Sequence, residues 1–257
     1  MVSGDDSPAQ KKRRIPWQKS YSKMSQEDVE KRIGISMQNL ASTAIAPRDM
    51  VARSGHSPDE DTTKVIKDEV YKRIMEYLDV EVSLVDRSQF MEANVNDLVL
   101  FIITPVIYEF KYRTGRKGIK LFRKKKITSE DSKTGGYEEF VVADTVSLTE
   151  RKYILIIEAK RVSIHAEMGQ CLLAMKDMGD SNHGGVVYGF ITTGDSWRML
   201  SYDGGSFQVT DQFQVVFETM GTDKDRWIRE CSVLVDCVYG ALSNGGIVKK
   251  DVCVVSV

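Results

Sequence analysis

The stretch from Tyr137 to Arg161, YEEFVVADTVSLTERKYILIIEAKR, carries the residues of this 257-residue chain whose types and spacing could do chemistry. Ile154 to Ile157 is an unbroken aliphatic run of the kind expected of a central strand buried on both faces, yet it leads straight into Glu158-Ala159-Lys160. Glu158 and Lys160 are two residues apart, so in a strand they project from one face while Ala159 points to the other. Asp144 precedes Glu158 by fourteen residues and lies inside the apolar stretch Phe140 to Leu148. With a hairpin turn over Thr149-Glu150-Arg151-Lys152, antiparallel pairing brings its carboxylate toward the Glu158 end of the neighbouring strand. Converging carboxylates are hard oxygen donors suited to Mg²⁺ or Mn²⁺, which retain part of their hydration shell. Phosphodiester hydrolysis needs such an ion to neutralise developing charge and to supply a more acidic water. A lysine alongside orients that water or helps take its proton, and stabilises the charged transition state. Taken singly, the residues have ordinary explanations: Asp144 capping a turn, Glu158 and Lys160 forming a strand-end ion pair, Gln170 lying on a helix surface. Their joint pattern favours chemistry.

Asp144 with Glu158-Ala159-Lys160 resembles the PD-(D/E)XK nuclease superfamily, with Asp144 as the family aspartate and Glu158-Ala159-Lys160 as its E-x-K element. The resemblance spans about residues 89 to 203. It implies an α/β, restriction-endonuclease-like core, a mixed central sheet flanked by helices, here with N-terminal and C-terminal helical additions. It implies further that Gln170, in the helix EMGQCLLAMKDM after the E-x-K strand, helps hold the site, and that a carboxylate from the helix before the first core strand completes it. Glu92 is the preferred candidate, with Asp97, Glu109 and Glu69 as competitors. On this footing Asp144, Glu158, Lys160, Gln170 and Glu92 form the catalytic set, and Asp144, Glu158 and Glu92 hold Mg²⁺ (or Mn²⁺). The chain is similar in style to fungal nuclease-like domains, including the C-terminal domains of Crinkler-type effectors. Ala143 stands where the family has proline. The implied activity is metal-dependent hydrolysis of nucleic acid, DNA favoured. The alternative is a nuclear effector or regulator that binds nucleic acid on the same fold without cutting, and a pure protein-interaction domain ranks last.

Between Lys111 and Lys126 nine of sixteen residues are Lys or Arg and none is acidic. A strand and loop this basic would track a phosphate backbone, which makes Lys117, Lys120, Arg123, Lys124, Lys125 and Lys126 candidate contacts, joined by Arg161 and Arg198. The ordinary alternative is an edge strand protected by lysines against aggregation. No base-reading motif is visible, so weak or structure-dependent specificity is expected. Lys11, Lys12, Arg13 and Arg14 have the composition of a nuclear-import signal or a nucleic-acid-touching arm.

Helices and strands must position these groups. Helical spacing is weak near Gln26 to Gly34, firm over Thr62 to Leu78, and present from about Gln89 to Tyr112, where Pro105 is expected to bend the helix. Strands are expected over Lys120 to Ile127, Phe140 to Leu148 and Tyr153 to Lys160, then a helix over Ala166 to Met178. Strands follow over Val186 to Thr192 and Trp197 to Tyr202, with another within Phe207 to Phe217. Thr222 and Asp225 suggest a cap for a final helix that ends at Gly245-Gly246. The expected organisation is a flexible basic tail (1–25), an N-terminal helical region packed on the core (26–88), the nuclease-like core (89–220), and a C-terminal helix and tail (221–257). With 42% hydrophobic and 28% charged residues and a net charge of -1, composition fits an ordinary globular domain and selects no special class. No uninterrupted apolar run approaches the roughly 20 residues of a membrane span, so an intracellular setting is expected. The four cysteines are widely spaced without a C-x-x-C pair, arguing against a zinc knuckle or disulfide framework and for buried thiols. Neither a Cys/His or Ser/His/Asp pattern nor a G-x-x-x-x-G-K loop is present.

Overall fold

A computed structural model of the chain describes residues 17–53, 59–81, 90–147, 150–161 and 164–246, with the side chains of 164–167 excepted. Lys11 to Arg14, Cys253 and the turn residue Thr149 lie outside the described residues. In chain order the elements are β1 (Lys19–Ser20), a 3₁₀ turn (Tyr21–Lys23), α1 (Gln26–Ile33), α2 (Met37–Ser42), α3 (Pro47–Arg53), α4 (Glu60–Val80) and α5 (Glu92–Thr114). Next come β2 (Ile119–Thr128), β3 (Thr134–Thr145), β4 (Arg151–Ala159), α6 (Ile164–Ser181), β5 (Val187–Thr192) and β6 (Ser196–Tyr202). The last described elements are β7 (Phe207–Val209), β8 (Phe213–Gln214), a 3₁₀ turn (Met220–Thr222), α7 (Lys224–Arg226), one π-helical turn (Trp227–Cys231) and α8 (Val233–Asn244).

Among the described residues the strands form one open mixed sheet of eight, in the order β1-β3-β4-β5-β6-β7, with β2 also on β3 and β8 on β6. β2, β3 and β4 form an antiparallel meander, whereas β4 and β5 run parallel and are joined across the sheet by α6. Such a crossover needs a helix to return the chain to the same end, and α6 does this with Cys171, Leu172 and Met175 buried against the strands. The alternating side chains therefore serve two cores. Phe140, Val142, Leu155 and Ile157 face α4, α5 and α8, while Val141, Ile156, Ile191 and Leu200 face α6 and the N-terminal segment.

Local chemistry sets the helix ends. Asp59 caps α4 by accepting from the Thr62 amide, Ser25 caps α1 through the Asp28 amide, and α5 stops at Gly115, whose φ of 69° suits glycine. α5 is also long and apolar enough to cross a bilayer, but Val95, Leu98, Val99, Ile102, Ile103 and Val106 are buried in the fold, which makes it a core helix. Pro105 sits inside it. Cys171, Cys231 and Cys237 are buried and in no disulfide among the described residues.

Three expectations need correction. Residues 17–25 are not a loose tail: the Tyr21 ring is buried, and its hydroxyl donates to Asp177 at 2.7 Å. β3 begins at Thr134, well before Phe140, because Gly135 and Gly136 leave room for Trp17 and Tyr21 to lie against the strand. The C-terminal apolar stripe is divided by the π-helical turn before α8, and Asp223 rather than Thr222 caps α7. Phe207 to Phe217 resolves into two short strands.

Candidate functional site

The β3–β4 hairpin fixes which acids can meet. The Val146 and Ser147 amides both donate to the Glu150 carbonyl and Thr145 pairs with Arg151, so the strands meet earlier in the chain than a turn over residues 149–152 would have them. Pairing then runs Thr145↔Arg151, Asp144↔Lys152 and, beyond a register shift at Val142/Ala143, up to Phe140↔Ile157. Asp144 thus stands opposite Lys152, six residues before Glu158, a separation of about 20 Å along the strand. Its carboxylate instead accepts from Arg116 Nε (3.2 Å) and Nη2 (2.9 Å), while Arg116 Nη1 donates to the Leu242 carbonyl at 2.8 Å. Asp144 is therefore part of a clamp joining the loop before β2, strand β3 and α8. The structure does not bring it to Glu158 and Lys160.

A different acid lies beside Glu158. Phe140↔Ile157 is the last β3–β4 pair at the open end of the hairpin, and beyond it Glu158 and Ala159 pair with β5. On the other side of β3, pairing passes from Arg123↔Phe140 to Lys125↔Glu138, and Lys124 between them has φ 49°. Regular pairing therefore gives way on both sides of Glu138 and Glu139, and six acidic or basic groups collect there: Glu138, Glu139, Glu158, Glu92, Lys124 and Lys160. Glu138 and Glu158 are both fully buried, at 0% exposure, and interact directly. Glu158 Oε2 accepts from Gln170 Nε2 on α6 at 3.3 Å. Lys160 Nζ lies 3.4 Å from Glu92 Oε1, at the start of α5, and 3.7 Å from Glu139 Oε1. Glu139 is also held by Lys124 at 2.6 Å.

The electrostatics follow from this enclosure. Among the described residues Glu138 meets no donor other than the Glu158 carboxyl. Burial first, then the charge and hydrogen bond of Glu158, push its pKa well above the ordinary carboxylate range, with Glu139 adding to the effect and Lys160 opposing it. Two adjacent buried carboxyls cannot both ionise cheaply without a counter-ion. They either share a proton or take a cation. No group of three or more His, Cys, Asp or Glu among the described residues forms a ready-made metal cage. The Glu138–Glu158 pair supplies hard oxygens of the sort that fit an Mg²⁺ retaining several waters.

Of the other sequence candidates, Glu92, Lys160 and Gln170 join the cluster, Glu92 through Lys160. Glu69 and Glu109 bond to Arg73 and Arg113 along their own helices, and Asp97 acts electrostatically on Tyr77. The basic stretch divides. Arg116 is committed to Asp144 and Lys124 to Glu139, Arg123 stacks over Phe140, and Lys125 shares the Phe122 ring with Arg151. Lys117, Lys120 and Lys126 are exposed. Arg161 approaches the Met91 sulfur, and Arg198 lies on β6 on the α6-facing side of the sheet. Glu138 and Glu139 went unnoticed in the sequence, although an acidic pair directly before an apolar strand is itself a signal. No protein-family model matches the chain, and no curated protein matches it.

Proposed function

We propose that the chain is a metal-dependent nuclease of the PD-(D/E)XK type in which Glu138 takes the place expected for Asp144. The observation that carries this reading is the buried Glu138–Glu158 pair, with Lys160 and Gln170 beside it. The element order α5-β2-β3-β4-α6-β5 supports it, because the helix, three strands, helix and strand of the resemblance follow one another in that sequence. Glu138 and Glu158 would hold Mg²⁺ or Mn²⁺. When bound, the ion supplies charge neutralisation at the phosphate and a more acidic water. Gln170 fixes the Glu158 carboxylate through its amide, and the buried walls exclude competing water. Lys160, anchored at its backbone by donating to the Thr192 carbonyl at 2.9 Å, presents its ammonium at the mouth between Glu92 and Glu139. There it can hold a phosphate oxygen and stabilise the negative charge that builds during cleavage. Exposed Lys117, Lys120 and Lys126 on and beside β2 provide a sequence-independent track for the backbone, DNA favoured.

The test is cleavage of labelled single- and double-stranded DNA and RNA in Mg²⁺ or Mn²⁺. Glu138→Gln, Glu158→Gln and Lys160→Ala should each lose at least about 100-fold, whereas Asp144→Asn should retain cleavage. Activity that depends on Asp144 and survives Glu138→Gln would sink the assignment. The engagement of Lys160 by two carboxylates favours, as a second reading, a protein that binds nucleic acid without cutting. Metal-independent binding with no cleavage by the wild type would select it.

A further inference from the structure

Arg198 stands on the same sheet face as the carboxylate pair. Glu158 on β4 pairs with Ile191 on β5, and Ile191 pairs with Arg198 on β6, so the three side chains form a row across adjacent strands. Ile191 and Leu200 pack beneath α6, which fixes the face on which Arg198 projects. Two strand spacings put its Cα about 10 Å from that of Glu158. Its Nε and Nη1 are closed off from solvent and have no hydrogen-bond acceptor among the described residues. Asp211 is the acidic group whose charge acts on it, and burial outweighs that charge in lowering its proton affinity.

A half-buried guanidinium with idle donors weakens the fold that carries it, because those N–H groups have lost water and gained nothing in return. No packing requirement on β6 calls for an arginine, since Leu200 and Tyr202 on the same face serve the core with apolar surface. Arginine is suited to phosphate, whose oxygens match its planar donors. An anion arriving at this face would give the guanidinium the acceptors it lacks once the side chain turns toward it.

We propose that Arg198 is a phosphate-holding residue, taking an oxygen of a phosphodiester that flanks the one bound at Glu138, Glu158 and Lys160. This rests on the nuclease reading for the position of the scissile phosphate, but not on cleavage itself. It places the bound strand across β4, β5 and β6 as well as along β2. The residue acts in binding and touches the flanking phosphate, not the reacting atoms.

The experiment pairs stability with affinity in the full chain, using Arg198→Met, an apolar replacement of similar length, and exposed Lys64→Met as the charge-loss control. Binding of a labelled 20-nucleotide single-stranded DNA is followed with Ca²⁺ in place of Mg²⁺ across a salt series, and Tm is measured without DNA. Arg198→Met should have a Tm equal to or above wild type, bind at least 5-fold more weakly, and lower the log K against log salt slope by about 0.7. Lys64→Met should leave both binding readouts unchanged. A Tm fall of several degrees in Arg198→Met would make the arginine structural and overturn the proposal. So would DNA affinity equal to that of the control, or no DNA binding by wild type. Inorganic phosphate that raises the wild-type Tm as much as DNA does, with DNA affinity unaltered in the variant, would assign the residue to free phosphate instead and reject the nucleic-acid claim. Because no turnover is involved, a wild type that binds but never cuts removes the nuclease reading and leaves this one standing.

Discussion

Replacing Glu138 by glutamine should change how stability responds to pH. In the native protein the Glu138 pKa lies well above its ordinary value of 4.5, because burial and the neighbouring Glu158 both favour the protonated form. A carboxyl whose pKa rises on folding binds its proton more tightly in the native state. Its contribution is therefore complete below pH 4.5 and drains away as pH climbs toward the folded value. Within that window the loss is about 1.4 kcal/mol per pH unit. At about 2–4 °C per kcal/mol for a chain of this size, the wild type should lose about 3–6 °C per pH unit relative to Glu138→Gln. The glutamine has the same shape, carries no titrating proton and can still donate to Glu158. Thermal melts stepped upward from pH 5 in EDTA measure the difference directly. Adding Mg²⁺ should flatten the wild-type curve, since the ion favours both carboxylates ionised, and binding at 100 times Kd is worth about 2.7 kcal/mol. Glu138→Gln should gain much less. Parallel pH curves for the two proteins, or equal stabilisation of both by Mg²⁺, would refute the idea that these carboxyls form one coupled site.

Other outcomes are expected from contacts already described. Asp144→Ala should cost about 1–2 kcal/mol by freeing Arg116, a loss visible as a lower Tm, while leaving nucleic-acid binding intact. Tyr21→Phe removes a buried hydroxyl from Asp177 and should cost about 1.5–3 kcal/mol, measured by urea unfolding; an unchanged midpoint would contradict that role. Gln170→Ala, which frees one Glu158 oxygen, should weaken Mg²⁺ stabilisation in thermal melts more than it lowers stability in EDTA.

Much of the scaffold could be read because periodicity is strong where burial is strong. The α4 and α5 patterns and the strands at Ile119–Thr128 and Val187–Thr192 were legible in this way. Glu158, Lys160, Gln170 and Glu92 were also legible, since a charge at the end of an aliphatic strand needs a partner. The partner acid was not. Choosing between Asp144 and Glu138 required the hairpin register, and a turn displaced by about two residues moves the opposing position by several. Sequence periodicity carries no information about that displacement. The Gly135-Gly136 portion of β3 was hidden because its glycines have no side-chain pattern and are explained only by Trp17 and Tyr21, which come from far away in the chain. That two nitrogens of Arg198 meet no acceptor among the described residues is likewise visible only in three dimensions.

The Tyr21 latch has a consequence for the proton chemistry of the carboxylates. A side chain grafted onto Gly136 would meet both the Tyr21 ring and a Glu138 oxygen, so ring and acid share one compartment above that glycine. The phenol is thus part of the lining whose burial raises the Glu138 pKa. Trimming the chain to begin at Gln26, as one might to tidy away a polar leader, would flood this compartment, make Glu138 more acidic and shift the pH at which an ion can enter.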